Sequence, residues 1–302
     1  MNDINSLIKK AHSVLNENRN AKYEITDETH PRFRHLRRIR ALRDIRRYGV
    51  RAGDLGGYIE SEDNLSQSGD CWIANEAQVY DKAEVSGEAF VSGNASVSGN
   101  ASVSGNASVS GNASVSGKTR VSGEARVSER ARVYGEARVS GEAWVYDDAQ
   151  VSGDAYVSGD ARVQGNARVS DDAQVSDDAR VYSYARVYGD ARVFGKARVY
   201  DDAHVYGNAE VSGDAQVSTN AHVYGNARVF DDAHVFFKAR VYGNAEVSGN
   251  ARVFGNASVS GNASVSGNAW VSEDAVVSDK AQVSGDARVA GNDEVSGNDK
   301  VS

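Results

Sequence analysis

The feature that most constrains this chain is a strict six-residue repeat. From position 79 to position 301 every sixth residue is valine, which makes 38 valines without an insertion or a deletion. The residue two places before each valine is alanine, except at Thr119, Asp293 and Asp299. Alternate residues of a strand point to the same side, so each alanine and valine pair predicts a short strand with one buried face. Self-similarity at a fixed period is typical of a solenoid.

The three residues between one strand and the next predict a corner. They read Ser-Gly-Asn or Tyr-Asp-Asp in many repeats, and Gly, Asn and Asp tolerate the left-handed backbone that a sharp corner needs. Three six-residue sides close into a triangle of 18 residues. The sequence therefore predicts an all-β, triangular, parallel solenoid of about 12–13 coils over residues 77–302.

Two further segments precede the repeat. Residues 1–21 predict an amphipathic helix, because apolar residues recur at helical spacing between positions 4 and 15. Residues 22–76 predict a capping head, in which we interpret Leu36 to Ile45 as a strand. A cap is needed because an open coil end exposes unpaired backbone groups and an apolar surface.

The head also carries the residues of a family resemblance. Positions 52–60 read AGDLGGYIE and positions 69–73 read GDCWI, and the hexapeptide repeats follow directly. This combination resembles the left-handed β-helix hexapeptide-repeat proteins of bacteria and prophages, whose members are often labelled as transferases. The resemblance implies a left-handed parallel β-helix with a small N-terminal α/β cap, and a prophage origin.

Charge is distributed unevenly along the chain. The net charge of −8 divides into +2 for residues 1–70 and −10 for the remainder. An acidic rod argues against general nucleic-acid binding. The exception is the stretch from Arg32 to Arg51, which holds nine arginines. These arginines either contact nucleic-acid phosphates or pair with acids of the head and first coils.

The cysteine content and the distribution of apolar residues indicate the cellular location of the protein. Cys71 is the one cysteine and lies in the inward alanine register, which predicts a buried thiol and agrees with a reducing compartment. Residues 1–20 hold no apolar signal region, and no run approaches eighteen apolar residues. We therefore expect a cytoplasmic protein without a membrane segment.

The middle of the repeat differs from its serine-rich ends. Residues eighteen apart are predicted to stack on neighbouring coils, which aligns tyrosines, arginines and one tryptophan into columns. The candidate binding residues are Tyr188, Tyr206, Tyr224, Tyr242, Tyr182, Tyr200, Arg162, Arg180, Arg198, Arg186 and Trp144.

These columns have two interpretations. Aromatic ladders stabilise stacked strands, and corner acids such as Asp201, Asp202, Asp231 and Asp232 would neutralise the stacked arginines. Alternatively, exposed aromatics beside arginine form a contact surface, because both are enriched at protein interfaces. Such a surface would also hold a small anionic ligand.

We expect a non-catalytic scaffold or binding protein, forming a homo-oligomer such as a trimer, with no cofactor and no metal. Two alternatives remain: a phage protein that sequesters an anion or nucleotide, and an acetyl-CoA-dependent hexapeptide acyltransferase. The resemblance implies that an acyltransferase would use a histidine as general base, and the outward candidates are His204, His222 and His234. The family's acyltransferases shape their pocket with loops that leave the coils, and this repeat has none.

Overall fold

The computed structural model describes residues 21–302. The helix predicted within residues 1–21 lies outside the described residues, apart from position 21. In the described part the head contains β-strands and two short 3-10 helices, Arg46–Tyr48 and Glu62–Asn64, and no α-helix. The α-helical part of the predicted α/β cap therefore depends only on the helix predicted for residues 1–21. No helix within residues 21–302 is long and apolar enough to cross a membrane.

The head is a small antiparallel sheet that continues into the rod. Strands β1 (Tyr23–Thr29) and β2 (Arg37–Ala41) are antiparallel, and β2 is antiparallel to β3 (Leu55–Ile59). Strand β3 then pairs in parallel with Gln78–Val79, the first strand of the strict repeat. The strand interpretation of Leu36 to Ile45 is confirmed for the residues of β2.

The close approach of head and rod explains the glycine pair before Tyr58. A Cβ atom added to Gly57 would lie 2.5 Å from the carbonyl oxygen of Ala77 and 2.5 Å from Cγ2 of Ile73. Any side chain at this position would therefore push β3 away from the first coil. The glycine allows the head sheet to pair directly with the rod.

The rod consists of two-residue strands that recur every six residues. Each contains the residue before a valine and the valine itself, from Gln78–Val79 to Lys300–Val301, and β4 (Trp72–Ile73) precedes them. Between the first and last coils, each rod strand pairs in parallel with the strands eighteen residues before and after it, as in Arg162↔Arg180↔Arg198. This pairing forms three sheets of 16, 13 and 13 strands, the first of which includes the head.

The predicted all-β solenoid with 18-residue coils is confirmed. It has about 14 turns rather than 12–13, because β3, Leu65 and β4 complete a turn ahead of residue 77. Leu65 joins this turn through an isolated parallel bridge to Val85. The left-handed sense of the coil stays a prediction.

The core is a column of small apolar side chains. The inward alanines and valines from Ala77 to Val283 are at most 1 % exposed. Thr119 replaces one of these alanines and is equally buried, and its hydroxyl has no hydrogen-bond partner. Cys71 lies at the head end of the same column as a free buried thiol, as predicted.

The corners are held by side chains as well as by backbone. Most corners have a glycine with positive φ, and at Gly99 an added Cβ would lie 2.9 Å from the backbone nitrogen of Gly117. Where aspartate takes this position, its carboxylate accepts the backbone N–H of the glycine one coil later, as Asp147 does from Gly165 at 3.1 Å. A further column joins four asparagine amides by hydrogen bonds of 2.9–3.1 Å: Asn208, Asn226, Asn244 and Asn262.

Candidate functional site

The rod presents three outward faces, which are named by their residues. The His face is the 16-stranded sheet and carries Arg186, His204, His222 and Arg240 in consecutive coils. The Trp face is the sheet that begins with β4, and it carries Trp144, Arg162, Arg180 and Arg198 in consecutive coils. The ion-pair face carries Arg192, Glu210, Arg228 and Glu246 in consecutive coils.

The His face holds an uninterrupted ladder of four tyrosines. The rings of Tyr188, Tyr206, Tyr224 and Tyr242 stack with centroid distances of 4.9, 4.9 and 5.0 Å and interplanar angles of 2–3°. All four side chains are half-buried. Burial raises the pKa of Tyr188, Tyr206 and Tyr224 above the ordinary value, so these phenols stay neutral and protonated at physiological pH. The stacking predicted from the 18-residue spacing is confirmed.

Two histidines lie against this ladder. The rings of His204 and His222 are 4.8 Å apart, and each meets a tyrosine edge-on at 6.1 Å, Tyr188 and Tyr206 respectively. Burial lowers the pKa of His204, with smaller contributions from His222 and Arg186. Burial also lowers the pKa of His222, and Arg240 adds to the effect.

The three candidate histidines do not form one site. His234 lies on the Trp face, on the strand beside Gln216, whereas His204 and His222 lie together on the His face. Among residues 21–302 no carboxylate lies within 4.0 Å of any of these imidazoles, because every ion pair there has an arginine or a lysine as its cation. A general base normally needs such a group to orient its ring.

The Trp face combines unpaired arginines with aromatic rings. Arg162, Arg180 and Arg198 lie on adjacent strands, all three are exposed, and within the described residues none forms a salt bridge with a carboxylate. The rings of Tyr182 and Tyr200 stack beside them at 4.9 Å with an angle of 1°. Like charges on neighbouring strands are destabilising. The three guanidinium groups therefore form a patch of unpaired positive charge, which a ligand or partner can neutralise.

Trp144 begins the aromatic part of this face. Its ring lies 4.3 Å from that of Tyr146, and its indole N–H donates to the hydroxyl of Ser128 at 3.1 Å. Further along, Phe236 and Phe254 stack at 5.0 Å. Aromatic side chains therefore accompany the arginines over the whole middle of the rod.

The ion-pair face neutralises its own charges. Arg192 approaches Glu210 at 3.8 Å, and Arg228 approaches Glu210 at 3.6 Å and Glu246 at 3.0 Å. The alternating charges of this column therefore pair along the face. This face offers less unpaired charge to a partner than the other two.

The corner aspartates do not pair directly with the stacked arginines. In the described part of the chain, Asp201, Asp202, Asp231 and Asp232 form no salt bridge. Asp231 instead accepts the backbone N–H of Gly249 at 3.1 Å. Direct pairing of these four acids with the arginine columns is therefore not observed among the described residues, and neutralisation at longer range stays a prediction.

The arginines of the head behave differently from those of the rod. Arg38 contacts Glu28 and Glu76, both at 2.8 Å, and its guanidinium lies 4.4 Å from the centre of the Tyr58 ring. Arg40 pairs with Glu24 at 3.2 Å and Arg43 with Asp70 at 3.3 Å. These contacts favour pairing with acids of the head for three of the nine arginines. Nucleic-acid binding by this stretch stays an untested prediction.

One corner column was missed by the sequence reasoning. At the corner between the Trp face and the His face, four consecutive coils replace the usual glycine while keeping a positive φ of 56–61°: Ser183, Asp201, Thr219 and Phe237. A β-branched or bulky residue in this region is a genuine outlier. The signal is visible in the sequence as a loss of glycine at one corner, over the same coils that carry the aromatic columns.

No metal centre is found in the described residues, since no group of three or more His, Cys, Asp or Glu side chains is arranged to hold an ion within 21–302. One open depression on the Trp face is lined by Asp178, Arg180, Lys196 and Arg198.

Comparison with known families agrees with this architecture. A family model described as the YdcK beta solenoid repeat matches five segments, at residues 131–147, 155–171, 185–201, 247–261 and 281–298. Each segment is close in length to one 18-residue coil. The chain is a β-solenoid repeat protein. No curated protein matches the sequence of this solenoid.

Proposed function

We propose that this solenoid is a non-catalytic binding scaffold that uses the middle of its rod for contact. The observation that carries the proposal is the four-ring tyrosine ladder of the His face, which is half-buried and has Arg186 and Arg240 on the strands beside it. Tyrosine and arginine are enriched at interfaces, where rigid rings supply contact area at a low cost in conformational entropy. A flat β-sheet face presents such a ladder without any change of backbone.

The partner that we propose for the His face is a second copy of this chain. Closed homo-oligomers are the commonest assemblies of soluble proteins, and the regular rod presents the same ladder on every copy. A parallel trimer encoded by a prophage is the form that the resemblance implies, and the sequence composition favours a cytoplasmic location. The serine-rich coils at positions 93–117 then act as a spacer between the head and the contact surface.

The regular coil supports binding more than acyl transfer. Strand pairing advances by eighteen residues at every step from Gln78 to Lys300, so no loop leaves the described coils to form an acceptor pocket. The candidate bases His204 and His222 face a tyrosine ladder rather than a cleft. Acetyl-CoA-dependent transfer is therefore the weaker proposal.

The test is the mass of the assembly in solution. Sedimentation velocity of the full chain is expected to show an oligomer, and the double variant Tyr206→Ser/Tyr224→Ser is expected to shift it toward the monomer. Tyr134→Ser is the matched control, because Tyr134 occupies the same slot of the same face outside the ladder and is exposed. A monomeric parent chain, or an unchanged mass for the double variant, would contradict self-contact through this face.

A further inference from the structure

The aromatic column of the Trp face is interrupted twice, by Gln164 between Tyr146 and Tyr182 and by Ser218 between Tyr200 and Phe236. In consecutive coils this column reads Tyr182, Tyr200, Ser218, Phe236 and Phe254. The two rings before the serine stack at 4.9 Å and the two rings after it stack at 5.0 Å. Within the described chain no ring–ring contact joins Tyr200 to Phe236, which are two coils apart.

The width of this interruption matches one aromatic ring. Two coils separate the planes of Tyr200 and Phe236 by about 10 Å, twice the spacing between neighbouring strands. A planar ring halfway between them would stack on both at the separation that the column itself uses. Ser218 occupies this slot between the two rings, contributes no ring of its own, and is buried by its neighbours, with 7 % exposure.

Gln216 and His234 lie beside the gap on neighbouring strands. The hydroxyl of Tyr200 donates to Oε1 of Gln216 at 3.3 Å. Within the described residues the His234 ring makes no ring–ring contact with Tyr200 or Phe236, so the stacking faces of both walls are without an aromatic partner across the gap.

Strained backbone marks the same coils. Thr219 follows Ser218 and has a φ of 60°, and Phe237 follows Phe236 with the same φ of 60°. These are the β-branched and the aromatic members of the corner column that lacks glycine. Phe237 is 51 % exposed, and its ring lies 5.2 Å from that of Phe236. Strain of this kind clusters at ligand-binding sites, where the surrounding structure maintains it.

The charged side chains around the gap favour a ligand that carries a negative group. Toward the centre of the face, Arg198 is exposed and lies on the strand beside Gln216. Arg252 lies on the strand beside His234, but its guanidinium is 5.4 Å from the centre of the Trp270 ring, one coil further from the gap. Toward the corner lie Asp201, Asp202 and Lys238. A ring that enters the gap with its negative group directed to Arg198 would avoid the corner acids.

We propose that the gap between Tyr200 and Phe236 is a binding site for a planar aromatic anion, the chemistry of a purine nucleotide or of an aromatic carboxylate. The ring stacks between the two walls over Ser218, and Arg198 binds the anionic group. Stacking on an aromatic wall contributes roughly 1–3 kcal/mol per base in single-strand binding proteins. The site rests on the proposed binding role of the middle coils, and it assigns a small-molecule ligand to the Trp face.

The experiment measures binding to the full chain by saturation-transfer NMR and calorimetry. The probes are AMP, 2-naphthoate, adenosine and inorganic phosphate. AMP or 2-naphthoate is expected to bind. Adenosine lacks the negative group of AMP and is expected to bind about tenfold more weakly than AMP. Inorganic phosphate is expected to show no saturable binding. Binding by AMP alone identifies a nucleotide site, and binding by 2-naphthoate alone identifies a carboxylate site.

Ser218→Tyr places a ring of the protein in the gap and is expected to abolish binding, while completing the aromatic column. Ser122→Tyr is the matched control, because it adds the same ring in the equivalent slot of the ion-pair face, between serines at 104 and 140. Phe236→Ser removes one wall and gives a second, independent loss of affinity. Binding retained by Ser218→Tyr, or absence of binding by both anions in the millimolar range, overturns the site. Sedimentation of the same samples reports on self-contact separately, so the two proposals fail independently.

Discussion

The side-chain nitrogen of Lys22 lies 2.9 Å from Sγ of Cys71 and 2.8 Å from the carbonyl oxygen of the same residue. Lys22 is fully buried although lysine is among the least buried residue types. It immediately precedes β1, so this contact fastens the first strand of the head to the first turn of the solenoid. Burial lowers the pKa of Lys22, against smaller opposing effects of Cys71.

The lowered pKa of Lys22 makes the stability of the head depend on pH. Between the lowered pKa of the folded state and the ordinary value of 10.5, the unfolded chain binds more protons, so the free energy of unfolding rises with pH in this window. Lys22→Met is expected to remove that rise. Trp72 is fully buried nearby, and its fluorescence during denaturant unfolding at a series of pH values measures the effect. Equal pH slopes for the parent and Lys22→Met would contradict the prediction.

Thr119→Ala is expected to stabilise the rod. The hydroxyl of Thr119 is buried without a partner, and an unsatisfied buried polar group costs about 1–3 kcal/mol. Alanine occupies this register in the neighbouring coils, so the substitution restores the ordinary core. The midpoint of guanidinium unfolding measures the change, and Ser116→Ala in the preceding corner serves as the control. A lower midpoint for Thr119→Ala would show that the hydroxyl has a partner in solution.

Protonation of the histidines is expected to destabilise the middle coils in acid. The pKa values of His204, His222 and His234 are lowered in the folded state, mainly by burial. The unfolded chain therefore binds more protons as the pH falls below the ordinary value of 6.5, and stability is lost from there down to the lowered folded pKa. NMR titration of the imidazole signals measures these pKa values directly. His222→Gln is expected to reduce the acid loss, and midpoints at pH 6.5 or above would refute the prediction.

Val205→Lys is expected to divide the rod into two units. Val205 is fully buried in the core column, and burial of an unpaired ammonium costs several kcal/mol. Each coil contacts mainly its neighbours, so the defect interrupts stacking locally. Limited proteolysis should cut near position 205 and release two fragments. His204→Lys, on the outward side of the same strand, should leave the digestion pattern of the parent, and a single uncut core for Val205→Lys would disprove the division.

The sequence predicts the rod far better than its surface. A strict period of six determines the strands, the three sheets and the columns of Tyr188 and Arg180, because residues eighteen apart must stack. The head has no period, so its contribution of a complete turn through Leu65 was not predicted. The spacing of the repeat also does not predict which side chains contact each other. The backbone contact of Asp231 and the position of Arg228 over Phe230 depend on rotamers, which the repeat does not determine.

The six-residue repeat also has a geometric consequence for the whole molecule. Each side of the triangle is one repeat, so one extra or missing repeat between the head and the middle coils would turn the head by a third of a revolution relative to the His face and the Trp face. Only a change of three repeats would restore the angle and alter the length alone. The near-identical serine repeats at positions 93–117 lie between the two parts. Their number therefore sets the direction in which the head points relative to the tyrosine ladder, as well as the distance between them.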